Sequence, residues 1–263
     1  MRFTKMHGLG NDYLYVYGEV PQNIVELSKK LSHRHFGVGS DGMIYISPSA
    51  IADFKMRIFN ADGSEAMMCG NGIRCVGKYV YDKGYTDKTR LTVETLSGVK
   101  TLDLHIAGGV VRTVQVDMGK AQVAPPETLT VGAQQVAFVP VSVGNPHAVV
   151  FCENADEAPV ETLGSAMEHH ERFPGGVNVE FVSVLGPNEL RMRVWERGSG
   201  VTMACGTGAC ASAAAAVSSG LCVRGSDITI HLDGGKLTVR VGENNALLMT
   251  GPAATVCECE VAD

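Results

Sequence analysis

The sequence predicts an α+β protein made by internal duplication: two pseudo-symmetric halves, each a set of antiparallel strands around one central α-helix. Three observations carry this. Cys69-Gly70-Asn71-Gly72 and Cys205-Gly206-Thr207-Gly208 repeat one phrase 136 residues apart, each ending a strand-like run and opening a helix-like one. Other landmarks recur in the same order at nearly the same offset. The remaining texture is mostly short alternating runs separated by turn residues, with few helical stretches.

The landmarks are specific. Asp53-Phe-Lys-Met-Arg-Ile-Phe-Asn60 lines up with Glu189-Leu-Arg-Met-Arg-Val-Trp-Glu196, and Met67 with Met203. Gly84 matches Gly220, and Leu96-x-Gly98-x-Lys100 matches Leu232-x-Gly234-x-Lys236. Gly10-Asn11 matches Gly144-Asn145; Phe36, Gly39 and Asp41 match Phe173, Gly176 and Asn178. A period of half the chain means duplicated domains, not a solenoid.

Strands are expected at 1–6, 13–17, 42–47, 54–59, 91–95 and 110–116. In the second half they are expected at 136–143, 148–152, 179–184, 190–195, 228–232, 236–241 and 246–249. Asn23–His33 and Glu161–Glu171 read as amphipathic helices at comparable places in the two halves. Gly72–Lys83 and Gly208–Ser219 follow the cysteine turns, with Gly84 and Gly220 as their C-terminal caps. Pro125-Pro126 marks a linker, which gives domains at 1–118 and 119–251. A tail at 252–263 exceeds the repeat and is expected to pack on the first domain.

Bulk properties narrow the function classes. The chain has 263 residues, 45% hydrophobic and 19% charged, with a net charge of −6, which argues against nucleic acid as a partner. Residues 198–223 carry no charge, but they are rich in Gly, Ser, Thr and Ala, so a buried helix is expected there rather than a membrane span. The N-terminus reads as having no secretion signal. The eight cysteines are therefore expected to be reduced thiols in the cytoplasm.

A cysteine at a strand-to-helix junction lies where helix N–H groups and the helix dipole favour its thiolate. The glycines beside it let backbone N–H groups meet an anion such as a carboxylate. Two such turns suit an acid and base acting on opposite faces of one carbon. Clasping the adjacent carboxylate stabilises the charge that develops when a weakly acidic α-proton leaves. Such chemistry needs no metal and no cofactor. For a lone cysteine a buried structural role is the usual reading; the duplicated setting reverses it. Cys75 and Cys210 are assigned to core packing inside the helices. Cys257-x-Cys259 is read as a C-terminal strand with both sulfurs on one face.

The chain resembles the diaminopimelate epimerases over nearly its whole length. The phrases that carry this are Met6-His-Gly-Leu-Gly-Asn-Asp12, Arg57-Ile-Phe-Asn-Ala-Asp-Gly-Ser64, Cys69-Gly-Asn-Gly-Ile-Arg-Cys75, Gly144-Asn-Pro-His147, Asn178-Val179, Trp195-Glu-Arg-Gly198 and Ala204-Cys-Gly-Thr-Gly-Ala-Cys210. The resemblance implies two β-barrel-like domains, each around a central helix, with the site in the cleft between them. It implies a cofactor-independent isomerase that converts LL-2,6-diaminopimelate to the meso form for lysine and peptidoglycan precursors. By this resemblance Cys69 and Cys205 match the catalytic pair, and His147 and Glu196 the residues that tune them. Gly70, Asn71, Gly206 and Thr207 match binders of the reacting-centre carboxylate. Asn11, Asn60, Asn145, Asn178, Glu196 and Arg197 match substrate-contacting positions. Some relatives carry Gln where this chain has Gly42, so that contact does not transfer; Thr207 stands where others have Ser.

Two alternatives stay open at this stage. One is a racemase of another polar amino acid on the same fold. The other is a thiol or zinc protein, although Cys-x5-Cys and Cys-x4-Cys do not follow common zinc spacings. The partner is expected to be a small molecule, with no membrane and no nucleic acid. The sequence is compatible with a homodimer.

Overall fold

The computed structural model describes residues 1–261; the last two residues of the tail expected over 252–263 lie outside them. The chain forms two compact units, one of Met1–Asp117 together with the segment from Gly251 onward, the other Met118–Thr250.

In the first unit, Arg2–Gly8 pairs antiparallel with both Asn11–Tyr17 and the C-terminal strand Ala254–Glu260. Helix α1 (Ile24–Ser32) then carries the chain over to Gly42–Ser47, which runs parallel to Asn11–Tyr17. Phe54–Asn60 returns antiparallel, helix α2 (Gly70–Asp82) crosses over, and Arg90–Thr95 joins it in parallel. Gly98–Ala107 and Val110–Lys120 complete a meander.

The second unit repeats this plan. Gln134–Ser142 pairs with Pro146–Phe151, which runs parallel to Asn178–Gly186 after a helical crossover at 160–168. Glu189–Glu196 follows antiparallel, and helix α4 (Gly206–Ser218) leads to a parallel partner at Asp227–Leu232. Gly235–Val241 and Ala246–Pro252 continue antiparallel.

Among the described residues the sheets are thus mixed, with four parallel pairs amid the antiparallel strands the sequence led us to expect. The reason is topological. A strand that returns through a helix re-enters in the same direction, and each unit contains two such crossovers. Among strands of five residues or more, two were not anticipated, Gly98–Ala107 and Glu127–Val131. The helix expected over 161–171 is also shorter and irregular: a wide π-type turn at Val160–Gly164 runs into the one-turn helix α3, Ser165–Glu168. Gly164 sits at the change of pitch, where Trp195 packs so closely that a Cβ at 164 would lie 2.5 Å from the Trp195 Cβ.

Helices α2 and α4 form the centres of the two cores. α2 is buried from Gly70 through Val80 and packs on Arg2–Gly8, Asn11–Tyr17 and Gly98–Ala107. At Gly77 the helix nearly touches Leu102 and Leu104; a Cβ would come within 2.8 Å of the latter. α4 buries Ala209, Ala211 and Ala213–Ala216 against seven surrounding strands. Small side chains let those strands approach on every side, which explains the uncharged, Ala-rich composition. No helix among the described residues is long and apolar enough to cross a membrane.

Both central helices end alike. Gly84 and Gly220 adopt φ of 75° and 72°. Their N–H groups bond to Tyr81 and Val217, while Tyr85 and Leu221 donate to Val80 and Ala216. These are Schellman closures, in which glycine takes the left-handed position without Cβ strain. Cys75 and Cys210 are fully buried in the helices, and burial raises the Cys75 pKa to about 11. Both fit the packing role expected of them. Cys257 and Cys259 lie on the C-terminal strand with sulfurs 3.4 Å apart.

Candidate active site

In each unit a cysteine caps its central helix. Cys69 and Cys205 are extended N-cap residues, and their sulfurs accept from the backbone N–H of Gly72 and Gly208, both at 3.3 Å. The four leading N–H groups of a helix have no intrahelical acceptor. The sulfur uses one of them, and the turns at 70–71 and 206–207 present the next at a positive helix end.

Each cysteine has its own polar setting. Cys69 donates its S–H to Asn11 Oδ1 at 3.2 Å. Asn11 in turn donates to Asp41 at 2.8 Å, and Arg34 binds Asp41 and Asp12. Inside α2, fully buried Arg74 donates to Asn71 Oδ1 at 2.9 Å, to the Gly70 carbonyl at 3.0 Å and to the Pro252 carbonyl at 3.1 Å. It therefore fixes the turn that carries Gly70 and Asn71. Asn60 lies at the end of its strand, half-buried, with its amide on Ser64 Oγ at 3.1 Å. Gly42 is its partner across the sheet. A Cβ at 42 would lie 2.2 Å from the Phe59 carbonyl oxygen, so no glutamine fits there without backbone movement.

Around Cys205 the setting is more acidic. Its thiol lies 3.6 Å from Thr207 Oγ1, and Thr207 accepts from Asn145 Nδ2 at 3.3 Å. Asn145 Oδ1 lies 3.0 Å from His147 Nε2, and His147 Nδ1 lies 2.7 Å from Glu180. Glu196, anchored by the Thr202 hydroxyl at 2.5 Å, also faces the thiol. Burial pushes the Cys205 thiol well above its usual pKa, and the charges of Glu196 and Glu180 push the same way; Thr207 and the Gly208 N–H oppose them. Burial likewise raises Glu196. These influences favour the thiol form of Cys205 at neutral pH, with the Glu196 carboxyl group beside it.

This makes a signed prediction. Glu196→Gln removes one of the two negative charges facing the sulfur. The Cys205 pKa should fall, and at fixed pH the residue should react several-fold faster with methyl methanethiosulfonate, followed by site-resolved mass spectrometry. A slower reaction would show that Glu196 does not act on the thiol by its charge.

The remaining expected residues fall at one turn. Asn178 is buried and donates to the Pro146 carbonyl at 2.9 Å, and its Oδ1 accepts from the Arg197 N–H at 3.0 Å. Arg197 is exposed and donates to the Gly175 carbonyl at 3.1 Å. Glu168 accepts from Trp195 Nε1 at 2.6 Å and from the Gly198 N–H at 2.8 Å, which pins the same turn. The first unit thus carries Asn11, Asn60, Cys69, Gly70 and Asn71; the second carries Asn145, His147, Asn178, Glu196, Arg197, Cys205, Gly206 and Thr207.

Sequence reasoning missed Glu180, Arg74 and Glu168. Glu180 stands within Val179-Glu180-Phe181, flanked by core residues, so a charged side chain there looks like the solvent face of a strand. The signal available was that residues 179–183 are otherwise apolar or small.

Comparison with known proteins adds the deciding observation. Residues 3–124 and 139–256 match the family described as diaminopimelate epimerase. The chain belongs to the diaminopimelate epimerase family. The diaminopimelate epimerase of Methanococcus maripaludis is 52% identical, over 99% of this chain and 99% of its own. That of Acetivibrio thermocellus is 51% identical, over 99% and 98%. The crystal structure of a probable proline racemase from Agrobacterium radiobacter K84 superposes with a TM-score of 0.76 at 18% identity, over 99% of this chain and 92% of its own. That likeness shows the shared fold. The duplicated cysteine turns therefore stand in a family of isomerases.

Proposed function

We propose that this chain epimerises LL-2,6-diaminopimelate to the meso form by a two-base mechanism, with Cys69 and Cys205 serving opposite faces of one α-carbon. The observation that carries the reading is the matched pair of cysteine N-caps, each held by a glycine N–H at 3.3 Å. One sulfur, as thiolate, takes the α-proton. The other, as thiol, delivers its proton to the opposite face, so one C–H bond breaks as another forms and the two sulfurs exchange protonation states. No electron leaves or enters.

The α-proton is a very weak acid. Its removal becomes feasible when the neighbouring carboxylate is held by the helix N-termini at 70–71 and 206–207, since the carbanion's charge spreads onto it. The resting state of Cys205 as a thiol beside Glu196 suits a proton donor in one direction. In the reverse direction Cys205, left as the thiolate after delivering its proton, takes the α-proton back while the Cys69 thiol delivers to the other face. Asn60, Asn178, Glu196 and Arg197 are suited to a second, zwitterionic amino-acid group, which selects diaminopimelate over simple amino acids.

Purified, chelator-treated protein incubated with LL-diaminopimelate should yield meso product on chiral chromatography, while L-proline and L-glutamate stay unconverted. Turnover of either simple amino acid at a comparable rate would reject the distal-group assignment.

A further inference from the structure

We infer that Glu180 is a positioning residue: its carboxylate holds the His147 ring with both nitrogens as donors, and through Asn145 and Thr207 this directs a hydroxyl proton at the Cys205 sulfur. Glu180 and His147 sit on parallel strands, where Val149 faces Glu180 and His147 faces Asn178. Both side chains are 0% exposed, and Glu180 Oε1 lies 2.7 Å from Nδ1. The second oxygen of Glu180 has no hydrogen-bond partner. A buried carboxylate needs a balancing partner, and the imidazole is the one it contacts.

The path onward is continuous. A carboxylate accepts, so Nδ1 carries a proton. Nε2 faces Asn145 Oδ1 at 3.0 Å and donates to it, which leaves the Asn145 NH2 group toward Thr207 Oγ1 at 3.3 Å. With that oxygen accepting from Asn145, the Thr207 hydroxyl proton is turned to Cys205 Sγ, 3.6 Å away. Gly208 closes the space: a Cβ there would lie 2.7 Å from Glu180 Oε1 and 3.2 Å from Cys205 Sγ. The titratable groups facing this path are His147 and Glu180 on the paired strands, Glu196 at the end of its strand, and Cys205. Helix α4 contributes no charged side chain.

The inference rests on the reading of Cys205 as a proton-transfer group, but its test does not depend on turnover. In wild-type protein, 15N spectra should show both ring nitrogens of His147 protonated; an unprotonated ring nitrogen there would overturn the inference without any variant. In Glu180→Gln one ring nitrogen should lose its proton, and the ring should become neutral together with the residue that balanced it. The Asn145 amide can then turn over, and Thr207 donates to it instead of to sulfur. The Glu180 charge, which pushes the Cys205 thiol up, is lost together with the opposite charge of the ring, so the two offset at the sulfur. The lost Thr207 donor decides the sign, and modification of Cys205 by methyl methanethiosulfonate should slow about tenfold, the loss expected when a charged acceptor loses one donor. With diaminopimelate, kcat should fall while KM is kept. An unchanged ring signature or an unchanged Cys205 rate would overturn the inference, whereas failure to epimerise any diaminopimelate would overturn only the proposed function.

Discussion

Cys69→Ala and Cys205→Ala are each expected to abolish epimerisation on their own, while the fold survives. Each face of the α-carbon needs its own proton carrier, and a positioned acid or base contributes roughly 10²–10⁴-fold. Under the proposed mechanism the missing group is the only carrier for its face, so inversion should fall below detection. The lesion should still be selective. The sulfur left in place can remove and return a proton on its own face, so each variant should exchange the α-hydrogen of one stereoisomer with solvent without inverting it. The two variants should act on opposite stereoisomers. Chiral separation with mass detection in deuterated water reads both. Inversion by either single variant, or exchange of the same stereoisomer by both, would contradict the assignment. Each change removes the side-chain acceptor that caps its helix, so thermal unfolding should move by the loss of about one N-cap, roughly 0.5–2 kcal/mol.

The largest effect on stability is expected from Arg74→Ala. Arg74 is 0% exposed, and its guanidinium serves the Gly70 carbonyl, Asn71 Oδ1 and the Pro252 carbonyl. Truncation leaves these buried acceptors short of a donor and opens a cavity beside Gly8, where a Cβ would lie 2.9 Å from the Arg74 guanidinium. The two causes together should destabilise by about 3–5 kcal/mol. Urea unfolding should show a lower midpoint, and the surviving folded protein should bind substrate weakly, because the turn at 70–71 loses its anchor. A midpoint within about 0.5 kcal/mol of wild type, the ordinary range for surface changes, would show that Arg74 is dispensable.

Much of this fold was legible because duplication writes each message twice. The cysteine phrase, the capping glycines at 84 and 220, and the strand-to-helix junctions reinforced one another across the offset of 136 residues. Alternation and turn residues placed most strands to within a few positions. Strand direction was harder to read, since alternation says which face a residue takes but not which way its neighbour runs. The helices between 17 and 42, and between 60 and 90, held that information, because a helical crossover forces parallel pairing. The irregular turn at 160–168 was hidden because it depends on Trp195, far downstream in the chain, packing onto Gly164. In the site, residues named by short phrases could be found from sequence. Those that act through them could not: Glu180 looks like an ordinary strand residue, and Arg74 looks like the exposed face of a helix. Their roles arise only when the strands bring Val149 opposite Glu180 and when α2 is enclosed on all sides.

The measurement that tests the central claim most directly is incubation of purified protein with LL-diaminopimelate in deuterated water, followed by chiral analysis and α-deuterium counting at low conversion. Two cysteines on opposite faces predict meso product carrying one solvent-derived deuterium at the inverted centre, with little label in the remaining LL substrate. Meso product that retains the original hydrogen, or label that enters LL substrate and product equally from the start, would contradict two separate proton carriers.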